Sequence, residues 1–380
     1  MKKIIIIGSG LSGSVCARLL SEKGYLVEIY EVKNHLGGHV YDYYRDNNIL
    51  VHKYGPHIFH TNYDDVWEFI NRFTKFNDYV NEVQVEYDSK LIKFPINFDS
   101  IKAIDPDLFE RFQIEVKRLF KNETSVSIHE LLEKIEDVDL KKLINNIYLK
   151  IYANYTIKMW GIDIKDIDIN VLKRVKINLN HVWNYFPDDR YQGLPLFGYT
   201  EMINKILDHK NITIFNNQNA IDFLSFKDSK ILFKNEELDV IFTGRIDELF
   251  KYEYEQLQYR SLDIQFEDLK QEFFQETAVV NYPAHKSLTR ICEYKHMTKQ
   301  IDKENTTITR EYPGNFDIND KIFNIPFYPI NNDENNQKYL KYQKDSSKYS
   351  NLFLIGRLSE YKYYDMDDVI KNSFELIKKF

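Results

Sequence analysis

The stretch KIIIIGSGLSGSVCARLLSEKGYLVEIYE, residues 3–31, decides the fold of this chain. Its apolar run KIIII is typical of a parallel strand that is buried on both faces. The GxGxxG pattern of Gly8, Gly10 and Gly13 follows, and after a helical stretch a second strand ends on Glu31. Such glycines let a pyrophosphate approach the backbone at a helix N-terminus, while the carboxylate accepts ribose hydroxyls. The order predicts a dinucleotide-binding domain, with NAD and FAD both open.

The composition indicates a folded protein without an electrostatic footprint for nucleic acid. Of 380 residues, 43% are hydrophobic and 29% charged, and the net charge is -7, whereas nucleic acid needs a basic face. Two cysteines, Cys16 and Cys292, are too few for a disulfide framework or a zinc ligand set. The first apolar run is shorter than a signal-peptide core of roughly 7–15 residues, and no run approaches the roughly 20 residues of a membrane span. We therefore expect a cytoplasmic protein of two or three domains, without membrane insertion.

Two segments favour FAD over NAD. Gly37 and Gly38 directly follow the acidic strand end, which is similar to the extension in FAD proteins of the glutathione-reductase and amine-oxidase type. NLFLIGRLSEYKYYDMDDVIKNSFELIKK (351–379) predicts a buried strand at 352–355, a Gly-Arg turn and a closing amphipathic helix capped by Asp365. A helix N-terminus there could face the pyrimidine edge of a flavin, although an ordinary capped helix is the alternative.

The rest of the chain changes from helical to β patterns. DVIFTGRIDELF (239–250) predicts a strand that returns to the nucleotide domain, so this domain is discontinuous. Residues 105–160 have apolar positions at helical spacing, whereas 80–98 and 255–330 contain alternating and β-branched segments. The chain therefore combines a Rossmann-like domain with a helix-rich part and a strand-rich part.

Arginine and aromatic residues are candidates for ligand binding. Arg174, Arg290 and Arg357 lie in motif-like segments, and a diphosphate favours planar bidentate donors, although each could instead form a structural salt bridge. Aromatic residues beside glycine and proline turns suit stacking on a sugar or base, and core packing is the alternative. These aromatic residues are Tyr155, Trp160, Tyr185 and Tyr191.

Motifs in order along nearly the whole chain resemble those of the bacterial UDP-galactopyranose mutase family. They are GSGLSG, NHLGGHVY, HKYGPHIFHTN, YTIKMWG, DRYQGLP, GYT, YRSL, TRICEYKH and GRLSEYKYYDM. The resemblance implies an α/β fold class, with a discontinuous Rossmann-like FAD-binding domain, an inserted α-helical bundle, a twisted antiparallel β-sheet domain, and the active site between them. The implied boundaries are 1–79, 200–254 and 335–380 for the FAD-binding domain, 99–180 for the bundle with a mobile substrate loop, and 80–98, 181–199 and 255–334 for the sheet domain.

The resemblance also implies an isomerase that interconverts the pyranose and furanose forms of a nucleotide sugar for cell-surface polysaccharides such as O antigen. Its cofactor is FAD, active when reduced, whose N5 attacks the anomeric carbon and displaces the nucleotide. UDP-galactose is the leading substrate, with dTDP-fucopyranose and UDP-N-acetylgalactopyranose as alternatives. A flavin oxidase or desaturase and a non-catalytic nucleotide-sugar binder remain as other classes. A cellular flavin reductant is implied, and a homodimer stays open.

The positions that match the family motifs supply the predicted site, with no metal ligand among them. The predicted catalytic residues are Arg174, Arg290 and His60. The predicted substrate-binding residues are Asn81, Tyr155, Met159, Trp160, Arg174, Tyr185, Arg290, Tyr328 and Tyr363. The predicted cofactor-binding residues are Gly8, Gly10, Ser12, Gly13, Glu31, Gly37, Gly38, His57, Ile58, His60, Gly244, Arg357, Tyr364, Asp365 and Met366.

Two positions carry open questions. Met159 stands where the family usually has Gln, which removes an amide and adds an adaptable apolar surface. It could accommodate the methyl group of thymine, or it could simply pack. In GPHIFHT (55–61), His57 and His60 form a weak metal pattern without an HExxH helix or cysteine partners, and a core histidine is a second interpretation. The resemblance instead implies that both rings lie along the flavin and tune its protonation.

Overall fold

The computed structural model describes residues 2–161 and 175–380 of the chain. Its strands are β1 Lys3–Ile7, β2 Leu26–Glu31, β3 Asp42–Tyr44, β4 Leu50–His52, β5 Phe59–Thr61, β6 Val83–Tyr87, β7 Lys90–Phe94, β8 Ser125–Val126, β9 Ile177–Asn178, β10 Tyr191–Gly193, β11 Ile212–Asn216, β12 Leu224–Lys227, β13 Lys230–Phe233, β14 Glu236–Glu237, β15 Asp239–Phe242, β16 Tyr259–Leu269, β17 Val279–Asn281, β18 Arg290–Glu293, β19 Thr306–Asn315, β20 Tyr328–Pro329 and β21 Leu352–Leu354. Its α-helices are α1 Leu11–Glu22, α2 Asp64–Ile70, α3 Phe98–Ile104, α4 Pro106–Leu119, α5 Ile128–Lys134, α6 Val138–Ile147, α7 Asn154–Trp160, α8 Gly198–Leu207, α9 Ile246–Leu249, α10 Tyr294–Thr298, α11 Asp333–Ser346 and α12 Met366–Ile377.

The chain divides into two compact units, each built from separate segments. Unit 1 comprises Met1–Asp78, Arg190–Tyr259 and Pro326–Phe380, and unit 2 comprises Tyr79–Asp189 and Arg260–Ile325. The discontinuity arises because strands from distant parts of the sequence complete the sheet of unit 1. The predicted further division of unit 2 into a helical bundle and a sheet domain stays a prediction.

Unit 1 contains a parallel sheet in the order β11-β2-β1-β15-β21. Strand β1 occupies the centre, where Ile4, Ile5 and Ile6 are fully buried, because both faces of a parallel strand are covered. The predicted return of 239–242 is confirmed, since β15 pairs in parallel with β1. Strand β21 also forms, but its residues are only half-buried because it lies at the edge of the sheet.

Helices α1 and α12 pack together on unit 1. Gly10 occupies the N-cap position of α1 and Asp365 that of α12. The predicted N-cap position of Asp365 is confirmed, but its side chain forms no cap hydrogen bond to the first turn. The first N–H groups of both helices are therefore left without a capping side chain.

Unit 2 combines capped helices with a sheet. Paired capping hydrogen bonds, which satisfy the first N–H groups, open α3 at Asn97 and α5 at Ser127. The sheet runs β16-β19-β18-β17-β6-β7, and its pairs are antiparallel except β17 with β6, which is parallel. A π-helical turn at Tyr148–Ala153 leads directly into α7, and such turns are frequent near functional sites.

Candidate functional site

Backbone approaches backbone at the glycine turn of unit 1. Gly8 has φ +102° and donates its N–H to the Tyr30 carbonyl at 2.8 Å. A Cβ added to Gly38 would lie 2.9 Å from Cα of Gly10, and Gly37 N–H bonds to Ser9 O at 3.1 Å. Side chains at these glycines would close the space at the start of α1. With glycine at these positions, the turn therefore keeps side chains away from the N-terminus of α1, which suits an anionic pyrophosphate.

Glu31 organises this turn from the end of β2. It is 5% exposed, and its Oε2 accepts hydrogen bonds from the N–H of Ser9 at 2.8 Å and from its Oγ at 2.7 Å. Oε1 accepts the Lys33 N–H at 2.9 Å. A carboxylate has about four acceptor positions, so Glu31 can hold the turn and still accept a ribose hydroxyl.

In the HxxH segment, a hydrogen bond indicates which nitrogen of the His57 ring is protonated. His57 Nδ1 lies 2.8 Å from the Gly55 carbonyl, so this nitrogen carries the proton. The His57 N–H in turn donates to Nδ1 of His52 at 3.0 Å, and burial lowers the pKa of His52 to about 3. His60 lies on β5 opposite Gln192 of β10. Within residues 2–161 and 175–380, no cluster of three or more His, Cys, Asp or Glu side chains could hold a metal ion.

The C-terminal motif of unit 1 returns to the glycine turn. A Cβ on Gly356 would lie 2.7 Å from Oγ of Ser12, so the 356 turn closes directly on α1. Arg357 follows, with its guanidinium carbon 5.3 Å from the ring centroid of Tyr363 and 5.7 Å from that of Tyr328. These rings stack at 6.1 Å, and Nε of Arg357 is buried without a hydrogen-bond partner in the described part of the chain.

The other predicted cofactor residues also lie in unit 1. Gly244 follows β15, and a Cβ there would lie 2.8 Å from the Phe242 ring. The Tyr364 hydroxyl donates to Glu360 at 3.4 Å, and burial raises the pKa of Tyr364 to about 12. Ile58 lies beside His57 and is half-buried, and Met366 begins α12.

Of the substrate candidates, Tyr328 and Tyr363 lie in unit 1, whereas Asn81, Tyr185 and the candidates of α7 lie in unit 2. The Tyr185 N–H donates to the Asn81 carbonyl at 2.8 Å, and the Tyr79 hydroxyl donates to the Asn81 side chain at 3.2 Å. Asn81 is buried, and the Tyr185 ring lies 6.0 Å from that of Phe94. The candidates of α7 are Tyr155, Met159 and Trp160, which are half-buried.

Arg290 begins β18 and is held by a buried carboxylate. Its Nε donates to Glu311 Oε2 at 2.7 Å, and Glu311 is 1% exposed. Arg260 holds α7 in a similar way, because its Nε donates to the Met159 carbonyl at 2.7 Å. Gly161 ends α7 with φ +66°. Arg174 lies outside the described residues.

Comparisons with known proteins agree on one family. A family model described as UDP-galactopyranose mutase matches residues 150–363, and one described as an NAD(P)-binding Rossmann-like domain matches residues 6–73. A UDP-galactopyranose mutase of Mycoplasma genitalium is 38% identical over 97% of this chain and 92% of its own. The chain belongs to the UDP-galactopyranose mutase family.

Another relative is similar in sequence, and a solved structure is similar in fold. A dTDP-fucopyranose mutase of Escherichia coli is 32% identical over 99% of this chain and 97% of its own. The crystal structure of a reduced UDP-galactopyranose mutase aligns with a TM-score of 0.69 at 17% identity, over 100% of this chain and 95% of that chain. The predicted family, the α/β fold class and the enzyme class, a mutase among the isomerases, are confirmed. No described helix is both long and apolar enough to cross a membrane.

Several residues around the site of this mutase-family chain were not predicted from the sequence. In unit 1, Nζ of Lys33 donates to the Tyr54 hydroxyl at 3.2 Å, and His35 Nε2 lies 2.7 Å from the same hydroxyl. Burial lowers the pKa of Lys33 to about 8, and repulsion from Lys53 acts in the same direction. Burial also lowers the pKa of His39 well below its ordinary value. The signal available was position, because NHLGGH directly follows the acidic strand end.

Glu311 and Lys158 were missed in unit 2. Glu311 lies 21 residues from Arg290, whose Nε donates to it, and Lys158 donates to carbonyls at least 124 residues away. Neither partnership has a fixed spacing in sequence. Their signals were indirect, since Lys158 lies inside YTIKMWG and Glu311 is the one acidic residue of the strand TTITREYPGN.

Proposed function

We propose that the protein interconverts the pyranose and furanose forms of a nucleotide sugar, with UDP-galactose as the leading substrate and FAD as the cofactor. The observation that carries the proposal is the Arg290–Glu311 pair, in which a half-buried guanidinium is oriented by a carboxylate 1% exposed. The family relation gives this pair its context, because a nucleotide sugar presents a diphosphate to such a cation.

The residues of unit 1 fit an FAD. Gly8, Gly10 and Gly38 leave room for a pyrophosphate at the uncapped start of α1, and Glu31 is in place for a ribose. The N-terminus of α12, which lacks a side-chain cap, suits the partial negative charge of a reduced flavin ring. When bound and reduced, FAD supplies the nucleophile for the anomeric carbon.

The protein side chains in this proposal bind and orient rather than attack. Arg290, together with Arg174, neutralises the diphosphate as it leaves and returns, and Tyr185, Tyr328 and Tyr363 donate hydrogen bonds to its oxygens. Tyr155 stacks on the base, while Trp160 and Asn81 border the sugar. Arg357, His57 and His60 lie along the flavin and tune its protonation.

Met159 favours a second candidate substrate, dTDP-fucopyranose. Its thioether is half-buried on α7, between Tyr155 and the C-terminal end of the helix. An adaptable apolar side chain can accept the thymine methyl, which a glutamine amide would leave against a polar group. UDP-N-acetylgalactopyranose is a third candidate. We further propose a cellular flavin reductant, a cytoplasmic location, a role in cell-surface polysaccharide synthesis and a homodimer, which light scattering would test.

The test uses dithionite-reduced protein with UDP-galactose, UDP-N-acetylgalactosamine and dTDP-fucose in separate reactions. We expect a furanose product from one of them and many turnovers after a single reduction. A flavin oxidase or desaturase would instead need an electron acceptor for each turnover, and a nucleotide-sugar binder without flavin would purify colourless. The absence of furanose from all three substrates would refute the proposal.

A further inference from the structure

The Lys158 side chain lies inside the turn that connects β17 to β18. Lys158 belongs to α7, and its Nζ donates to the main-chain carbonyls of Tyr282 at 2.6 Å, His285 at 2.7 Å and Leu288 at 2.7 Å. The Pro283 carbonyl lies slightly farther away, at 3.2 Å. An ammonium has three N–H donors, so the three short contacts use all of them.

This turn is held from within by a residue of another element. Carbonyl oxygens that converge on one point repel each other unless a cation lies between them. The turn supplies one organising side chain of its own, His285, whose Nδ1 accepts the N–H groups of Ser287 at 3.1 Å and Leu288 at 2.9 Å. The converging carbonyls therefore depend on Lys158.

Both sides of this connection carry residues assigned to the nucleotide sugar. On one side, Lys158 lies between Tyr155 and Trp160 on α7. On the other, Leu288 is two residues before Arg290, which begins β18. We propose that Lys158 is a positioning residue that fixes Arg290 relative to α7, so that the base and the diphosphate of one nucleotide are bound at the same time. This inference rests on the proposed function.

A second contact defines what removal of Lys158 would change. Arg260 donates to the carbonyls of Met159 at 2.7 Å and Lys158 at 3.3 Å, which fixes the C-terminal end of α7 to β16. Without the Lys158 ammonium, α7 therefore keeps its attachment to β16, and the turn keeps its bonds from Thr289 to the Glu311 carbonyl, but the direct link between α7 and the turn is lost. Affinity should therefore fall for ligands that contact both α7 and Arg290, and not for a ligand that contacts only one of them.

The experiment measures the binding of uridine, inorganic pyrophosphate and UDP to the holoenzyme and to Lys158→Met. Burial lowers the pKa of Lys158 to about 8. The titrations are therefore made at pH 7, below this value, where most of the ammonium is charged. We expect UDP affinity to fall about tenfold, because linked contacts gain from fixed geometry, while uridine and pyrophosphate change less than about twofold. An equal loss for all three ligands, or an unchanged UDP affinity, would overturn the inference. Wild-type protein that binds neither UDP nor dTDP would instead refute the proposed function itself, and this inference with it.

The chain offers a matched control in Lys295. Its buried ammonium also donates to main-chain carbonyls, those of Glu272, Asp302 and Asn305, which belong neither to α7 nor to the turn before Arg290. Lys295→Met should lower thermal stability and leave the ratio of UDP to uridine affinity unchanged. If Lys158→Met does not fold, Lys158→Gln keeps two N–H donors and takes its place, with an expected loss for UDP of about threefold. The same two outcomes would overturn the inference.

Discussion

The carboxylate of Glu311 accepts a hydrogen bond from Nε of Arg290 at 2.7 Å, across two neighbouring strands, β19 and β18. Glu311 is 1% exposed, so its charge is removed from water and depends on this partner. A guanidinium held through Nε presents its terminal nitrogens in one plane, as a diphosphate requires. The orientation of the Arg290 guanidinium, which is predicted to bind a diphosphate, is thus fixed by a residue inside the sheet.

Glu311→Gln should lower kcat/KM by roughly 10- to 100-fold, because a hydrogen bond between charged groups contributes about 1.5–3 kcal/mol. The amide keeps the shape of the carboxylate and loses its charge. Steady-state kinetics on reduced enzyme would measure the change. The control is Glu267→Gln, which breaks an ion pair with Arg310 on the same sheet at a side chain 44% exposed. Equal losses in the two variants would contradict the prediction.

Gly38→Ala should reduce the amount of flavin that copurifies with the protein. Its φ of +56° disfavours a side chain, and the added Cβ would lie 2.9 Å from Cα of Gly10 at the start of α1. Gly24→Ala is the matched control, because its φ is +91° but nothing lies within 4 Å of an added Cβ. Both variants should lose about 1–2 kcal/mol of stability from backbone strain. Only Gly38→Ala should lower the ratio of flavin absorbance to protein. Full flavin content in this variant would refute the role of Gly38 in cofactor binding.

His52 should make the protein less stable in acid. Burial lowers the pKa of His52 to about 3 in the folded state, while the unfolded chain keeps a value near 6.5. Between these values the unfolded state binds more protons, so the free energy of unfolding rises with pH and is lost as pH falls from about 6.5 towards 3. The slope is at most about 1.4 kcal/mol per pH unit.

His52→Gln should flatten this acid limb, because the amide oxygen can still accept the His57 N–H and does not titrate. Urea unfolding at several pH values between 4 and 7 would measure the slope for both proteins. Parallel curves for wild type and variant would show that the acid sensitivity comes from other groups.

Met159→Gln should shift base preference towards uracil. The substitution adds an amide beside the half-buried face of α7 and removes an apolar contact. We expect the ratio of kcat/KM for UDP-galactose to that for dTDP-fucose to rise by about tenfold, since a single hydrogen bond or methyl contact contributes roughly 1–2 kcal/mol. Ile157→Gln, at an exposed position on the same helix, is the control. An unchanged ratio would mean that Met159 simply packs.

The order of elements was readable from sequence because its signals are local. The run of isoleucines, the glycine spacing and the two returning strands predicted the sheet of unit 1, and β1, β15 and β21 are found as expected. The parallel pairing of β17 with β6 was not predicted, since strand patterns do not specify a partner. Asp365 lies at its predicted N-cap position without a side-chain cap hydrogen bond, because a favourable residue type only permits such a bond.

The sequence alone determined the nucleotide-binding fold and the family, because glycine spacing and ordered motifs are short-range properties of the chain. Tertiary structure decided which charges work together. Arg290 meets Glu311 through strand pairing, and Lys158 reaches a turn more than 120 residues away. Buried charges require partners, and folding chooses those partners by proximity in space and not by spacing along the chain.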